Sequence, residues 1–212
     1  MRAPLVAVAL ALAVLVAGCG GGEDTAATGE ECASVEAPAT RAPETREAPT
    51  EKLDPDKTYT LTFETSCGSF TVELDSDLAP NTGASLVGLA RDGYFDDTIF
   101  HRVVPGFVIQ GGDPTQSGSG GPGYSTVDVP PADTKYTEGV VAMAKTGLEP
   151  AGTAGSQFFV VTGEDAGLPP DYAVVGKVTD GMDTVRRIDA LGVGDGPPSR
   201  PVVVDRVTVA ES

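Results

Sequence analysis

A mainly β domain, a closed barrel or sandwich with helices at its ends, is the fold that residues 58–212 predict. Three observations point to it. Short runs of alternating apolar and polar residues, or of β-branched residues, recur along the stretch as half-buried strands require. Only two stretches repeat apolar residues at helical spacing. Glycine-rich turns separate the runs, and no internal repeat is evident.

Taken in order, Tyr59, Leu61 and Phe63 alternate with polar residues, and so do Phe70, Val72 and Leu74. The Ser66-Cys67-Gly68 turn between them makes this opening pair a β-hairpin. Pro80-Asn81 begins a helix whose Leu86, Leu89 and Ala90 share one face, and Gly93 is placed to end it as the C′ residue. The run Phe100–Asp113 follows. Read as a strand, it sets residues an even number apart on one face. Arg102 and Gln110 are then expected on the same side, with Phe107 near them across the irregular Pro105-Gly106 step. Gln157–Thr162, Ala173–Val178 and Val202–Val209 are short and β-branched, hence strands. Met182, Val185, Ile188 and Leu191 recur at helical spacing and predict a second helix over Met182–Leu191, followed by Gly192.

Of the 212 residues, 40% are hydrophobic and 21% charged, as in an ordinary soluble domain. The net charge of −17 argues against nucleic acid as a partner, because phosphate binding needs a basic patch. It argues equally against adsorption to an anionic lipid surface. There is no tryptophan, and His101 is the one histidine, which excludes a His-based metal cluster.

The N-terminus reads as an address. Arg2 precedes the apolar run Pro4–Ala17, which is too short to span a bilayer comfortably. Its end, Val16-Ala17-Gly18-Cys19, resembles the bacterial lipoprotein signal. In that family the cysteine thiol receives a diacylglyceryl group and the chain is cut just before it. The resemblance implies a signal peptide over residues 1–18 and an exported protein held by lipid at Cys19 on the outer face of the bacterial plasma membrane. Two acyl chains, at about 0.8 kcal/mol per CH₂, anchor a protein stably. Residues 19–57 are acidic and rich in Pro, Ala and Thr, with almost no large apolar residues. Such a segment buries too little surface to offset its ordering entropy, and a disordered tether is expected. An exported chain meets oxidising conditions, so Cys32 and Cys67 either form a disulfide or remain as a loose Cys32 and a packed, free Cys67.

Three segments carry a family resemblance: Phe100–Asp113, Gly139-Val140-Val141-Ala142-Met143-Ala144-Lys145, and Gly155-Ser156-Gln157-Phe158-Phe159, with Ala173–Val178 behind them. Their order and spacing resemble the cyclophilins, the peptidyl-prolyl cis–trans isomerases, from about Tyr59 to Val209. The resemblance implies a closed eight-stranded antiparallel β-barrel capped by two helices. It also implies a site: Arg102 as the catalytic arginine, Phe107 and Gln110 beside it, and Val108, Gln157, Phe159, Leu168 and Tyr172 around the proline. The backbone of Ala144, Lys145 and Thr146 matches the strip that hydrogen-bonds an extended substrate. Lys145 replaces the family's common asparagine, which matters little if only its backbone is used. The loop Leu148–Ala154 is longer than the common eukaryotic form. Gly167 stands where many members place the tryptophan that contacts cyclosporin, so strong inhibition by that peptide is not implied.

These residues suit the reaction. An X–Pro bond turns in tens to hundreds of seconds across roughly 18–20 kcal/mol of amide resonance. A cation beside the nitrogen favours the twisted amide over both planar forms, which is the differential binding that lowers a barrier. Millisecond turnover needs about 10⁴-fold, hence roughly 5–6 kcal/mol. One charge-assisted hydrogen bond supplies only about 1.5–3 kcal/mol net. A dry pocket from Phe107, Phe159 and Leu168 and anchoring of the flanking peptide must supply the rest. No nucleophile, metal or cofactor is required, and a monomer is the default expectation. The partners are proline-containing segments of unfolded or exported proteins.

Other readings are weaker. His101 with Ser156 invites a hydrolase, but no Gly-x-Ser-x-Gly elbow surrounds Ser156. Gly118–Gly123 lacks the Lys-Ser/Thr ending of a phosphate loop. Phe158 and Phe159 are adjacent, so in a strand only one faces the groove and the other belongs to the core. The alternative function is a membrane-tethered module that binds proline peptides as a chaperone with little turnover. Retention of Arg102 with Gln110 favours catalysis, because binding alone needs only the pocket.

Overall fold

The computed structural model describes residues 31–212. The expected signal peptide and the lipidation residue Cys19 lie outside the described residues. The strands are β1 (Tyr59–Thr65), β2 (Gly68–Leu74), β3 (Thr98–Ile99), β4 (Arg102–Val104), β5 (Val108–Gly111), β6 (Thr126–Val127), β7 (Val140–Met143), β8 (Thr153–Ala154), β9 (Phe158–Val161), β10 (Val174–Asp180) and β11 (Val203–Glu211). The helices are α1 (Pro80–Arg91) and α2 (Met182–Asp189).

Nine strands form one antiparallel sheet in the order β3-β11-β1-β2-β10-β7-β9-β5-β4, and β6 pairs with β8 in a small second sheet. The expectation of a closed eight-stranded barrel is corrected here. The sheet curls into a half-barrel whose hydrogen-bond ladder is open between β3 and β4. The reason lies in the chain itself. β3 pairs with β11, Phe100 N–H still bonds Val202 O, and after His101 the same run turns to pair with β5. One bent run thus forms both edges of the sheet.

The long run Phe100–Asp113 also departs from a single strand. β4 and β5 are an antiparallel hairpin in which Arg102 pairs with Gln110 and Val104 with Val108. Pro105 brings no donor, Gly106 adopts φ +68, and Phe107 N–H bonds Val104 O at 3.0 Å to close the turn. Arg102 and Gln110 do share a face, but as partners across a hairpin rather than by even spacing along one strand.

The sheet's inner face holds the main core. Phe63 and Phe70 are cross-strand partners with rings stacked at 4.8 Å. Phe158 meets Phe63, Phe95 and Phe100 at ring separations of 5.1, 6.1 and 6.1 Å. Burying each such ring stabilises by about 1.5–3 kcal/mol. Helix α1 packs against β11 and β6, and α2 against β2, β4 and β5. Helix α1 ends as its sequence predicts: Gly93, at φ +66, bonds Ala90 O and Tyr94 N–H bonds Leu89 O, the paired bonds of a Schellman motif. Its start is capped from afar. The Asp128 carboxylate accepts Thr82 N–H at 2.7 Å and Thr82 Oγ1–H at 2.6 Å.

Residues 31–57 carry no strand or helix, yet they are not free of the domain, and from Cys32 onward the expectation of a disordered tether is corrected. Of the two states open to the cysteines, Cys32 and Cys67 form the disulfide. Leu53 is buried against α1 at Gly83. Arg41 N–H bonds Pro114 O at 3.0 Å and Arg46 N–H bonds Pro122 O at 2.8 Å. Composition misled here because the stretch adds few apolar groups and docks instead through backbone bonds, a disulfide and two arginines.

Candidate active site

A row of residues crosses the outer face of the sheet. Arg102 on β4 is the register partner of Gln110 on β5, Gln110 of Phe159 on β9, Phe159 of Ala142 on β7, and Ala142 of Val174 on β10. Antiparallel partners point to the same side. The sheet therefore sets a cation, an amide and a phenyl ring side by side. The adjacent rings of β9 separate by strand alternation, Phe158 entering the inner core and Phe159 the outer cluster.

The cation is held at several points. Arg102 donates from Nε to Asp195 Oδ1 at 2.5 Å, from Nη2 to Asp195 Oδ2 at 3.0 Å, and from Nη1 to Gln110 Oε1 at 3.2 Å. Two of its five N–H groups remain for a ligand. Gln110 Nε2 donates to Gln157 Oε1 at 3.1 Å, and Gln157 Nε2 to Gly120 O at 3.0 Å. The Gly120 loop is organised by buried Asp113, whose carboxylate accepts bonds from Thr115, Ser117, Gly118 and Gly120. Burial pushes the Asp113 carboxyl up, but the bonds from Thr115, Gly120 and Gly118 outweigh it and hold its pKa below the usual carboxylate range. The hydrogen bond from Arg102 does the same for Asp195. A polar chain thus runs from Asp113 through Gly120, Gln157 and Gln110 to Arg102 and Asp195. No motif or periodicity marks Asp195, 93 residues from Arg102.

An apolar patch adjoins this row. Val108, Tyr136, Ala142, Phe159, Val161 and Val174 form a buried cluster separate from the main core, with Phe107, Leu168 and Tyr172 packed against it and half-buried. Phe159 and Tyr172 meet edge to face at 5.7 Å. Tyr136, which sequence reasoning passed over, fixes this wall: its hydroxyl donates to Tyr172 O at 2.7 Å and accepts Tyr172 N–H at 3.0 Å.

The strip Ala144–Thr146 follows β7. Ala144 N–H is given to Gln157 O at 2.9 Å, and Thr146 N–H to Glu149 Oε2 at 2.6 Å. Glu149, in the long loop, therefore occupies one donor of the strip. Lys145 does more than its backbone. Its side chain is only 3% exposed, pairs with Asp171 at 2.6 Å, bonds Glu149 O at 3.1 Å and lies 5.4 Å over the Tyr172 ring. His101 and Ser156 are not hydrogen-bonded to each other. Ser156 Oγ donates to Gly112 O at 2.7 Å, and neither His101 nitrogen has a partner. Burial depresses the His101 pKa and so favours the neutral ring.

The family described as "Cyclophilin type peptidyl-prolyl cis-trans isomerase/CLD" matches residues 60–209. A probable peptidyl-prolyl cis-trans isomerase A of Mycobacterium leprae is 36% identical over 171 residues, covering 71% of this chain and 92% of the relative. A peptidyl-prolyl cis-trans isomerase-like 1 of Aspergillus oryzae is 38% identical over 156 residues, covering 71% and 95%. Among solved structures, a Cryptosporidium parvum cyclophilin type isomerase superposes with TM-score 0.66 at 29% identity, covering 72% of this chain and 98% of that one. The same Cryptosporidium protein, solved in the presence of the dipeptide Ala-Pro, superposes with TM-score 0.66. With residues 60–209 matched, the chain belongs to the cyclophilin-type peptidyl-prolyl cis-trans isomerases.

Proposed function

We propose that this isomerase accelerates rotation of X–Pro bonds in exported proteins, with Arg102 favouring the twisted amide at the mouth of an apolar proline pocket. The observation that carries the reading is the row Arg102–Gln110–Phe159, which sets the guanidinium and the pocket wall on one face of three adjacent strands. The proline ring sits among Phe107, Phe159 and Leu168, with Val108 and Tyr172 completing the wall. Water is kept from the rotating bond, and the field of the cation is strengthened there. Asp195 and Gln110 fix the guanidinium plane beforehand, so little reorganisation accompanies the rotation. Gln157 keeps Gln110 in place, and the strip Ala144–Thr146 anchors the flanking chain. In this reading Cys19 carries lipid, residues 1–18 are removed, and the monomeric domain works at the outer face of the plasma membrane on proteins emerging there.

Arg102→Ala tests the catalytic role. With an Ala-Pro peptide, kcat/KM is expected to fall roughly a hundredfold while the peptide's dissociation constant stays within about threefold. Weakening of binding by the same factor as the rate would place Arg102 in ground-state binding and end the proposal. Incorporation of labelled palmitate by wild type and not by Cys19→Ala tests the anchor; equal labelling of both removes it.

A further inference from the structure

An open cavity of about 700 Å³ adjoins the site at Gln110 and Gln157. Gln110, Ala144 and Thr146 line it, and so do Pro43, Glu44 and Thr45. Those three residues lie outside the family match, which begins at residue 60. They belong to the N-terminal strap that composition alone assigned to a loose tether.

The strap is fixed where it meets the cavity. Its backbone is bonded at Arg41 to Pro114 and at Arg46 to Pro122 of the Gly-rich loop, and Gln116 Nε2 donates to Pro38 O at 2.9 Å. The Arg41 and Arg46 guanidinia lie 5.6 and 5.1 Å from the centre of the Tyr94 ring. Tyr94 OH is 3.3 Å from Ser156 Oγ, one residue before Gln157 of the site. The approach to the loop is close: Gly123 holds φ +83, and a Cβ there would lie 2.9 Å from Thr45 Cα. Ordering each strap residue costs about 1–2 kcal/mol, and these contacts offset that cost along the very residues that wall the cavity. The cavity is lined mostly by glycine, serine and threonine with the Glu44 and Glu149 carboxylates, a surface that accepts main chain and polar side chains.

We propose that the strap is a built-in wall of the substrate cleft, which makes extended segments of unfolded polypeptide better substrates than short peptides. The inference rests on the reading of Arg102 and its pocket given above. The chain flanking the X–Pro bond runs along Ala144–Thr146 and fills the cavity between that strip and Pro43–Thr45. A polypeptide that reaches only the proline pocket gains nothing from it.

The test uses the ratio of kcat/KM for an Ala-Pro peptide extended by four residues at one end to that for the unextended peptide, with each end taken in turn. Pro43 is exposed, so Pro43→Trp fills the cavity from the strap side without entering the core. Wild type is expected to show a ratio well above one for one of the two ends. Pro43→Trp should lower that ratio about tenfold, and Ala42→Trp, at the exposed neighbour outside the cavity, should keep it. A ratio in Pro43→Trp equal to that of wild type overturns the proposal, as does a wild-type ratio of one at both ends. Wild type that accelerates neither peptide would instead overturn the assignment of the site itself.

Discussion

Asp195 grips Arg102 with both carboxylate oxygens, at 2.5 Å from Nε and 3.0 Å from Nη2, although 93 residues separate them. The pair is exposed enough that it contributes little to stability. Its consequence is orientation, because the two bonds fix the guanidinium plane. Asp195→Ala is expected to unfold at the wild-type temperature and to lose about tenfold in kcat/KM, the equivalent of one charge-assisted hydrogen bond of roughly 1.5 kcal/mol. Unaltered turnover in that variant would show that Gln110 alone suffices to place Arg102.

Truncating the pocket should act on binding. Phe107 is half-buried at the hairpin turn and contributes to no inner-core contact, so Phe107→Ala retains the fold. Losing about half a buried phenyl ring, roughly 1.5 kcal/mol, weakens peptide binding about tenfold. Titration of an Ala-Pro peptide into the folded variant measures this, and an unchanged dissociation constant would remove Phe107 from the proline pocket.

Lys145 is where position-by-position comparison and structure part company. Its ammonium is buried, paired with Asp171 and set over Tyr172, so it ties the long loop to the pocket wall. Lys145→Met is expected to cost about 2 kcal/mol, read as a lower urea midpoint at unchanged slope. Stability equal to wild type would mean that Asp171 and the ring are satisfied as well by water.

Much of the fold was legible because strands and helix ends are written locally. The alternation Tyr59-Leu61-Phe63, the pairing of Phe70 opposite Phe63, and Gly93 as C′ residue each depend on neighbours a few positions apart. The kink in Phe100–Asp113 was visible in Pro105-Gly106, but not its outcome. Whether a run of this kind stays one strand or folds back depends on which edges are free to pair, and that is a tertiary fact. Arg102, Gln110 and Phe159 were legible as residue types in sequence motifs, whereas their alignment needed the β4–β5–β9 register. Asp195, Tyr136 and the strap were silent because each acts through partners distant in sequence and leaves no periodic trace.

The disulfide has a measurable share in holding the strap. It closes a separation of 35 residues, and chain entropy assigns such a cross-link about 3–4 kcal/mol. Thiol alkylation of the native protein should leave Cys32 and Cys67 unmodified, and alkylation after reduction should modify both, seen by mass. Cys67→Ser should lower the melting temperature. Labelling of Cys32 or Cys67 without reductant would contradict the pairing.

Acid should weaken the domain through His101. Burial depresses its pKa from the usual 6.5, so the unfolded chain binds the proton more readily. The stability held by the neutral ring is complete above pH 6.5 and is lost as the pH falls from there through the folded pKa. Asp113 acts in the same direction at lower pH, since its depressed pKa yields stability that disappears as it protonates. Unfolding midpoints from pH 7.5 to 5.5 should fall in wild type and fall less in His101→Gln. Parallel curves for the two proteins would rule His101 out as the source.

The central claim is that a fixed planar cation beside the proline pocket lowers the barrier to rotation. NMR exchange on an Ala-Pro peptide, with wild type and Arg102→Lys compared at equal concentration and with the fold checked by circular dichroism, tests it most directly. A lysine keeps the charge but not the fork that meets Asp195 and Gln110 together. The account predicts that folded Arg102→Lys loses most of the acceleration. Near-normal exchange by that folded variant would contradict it.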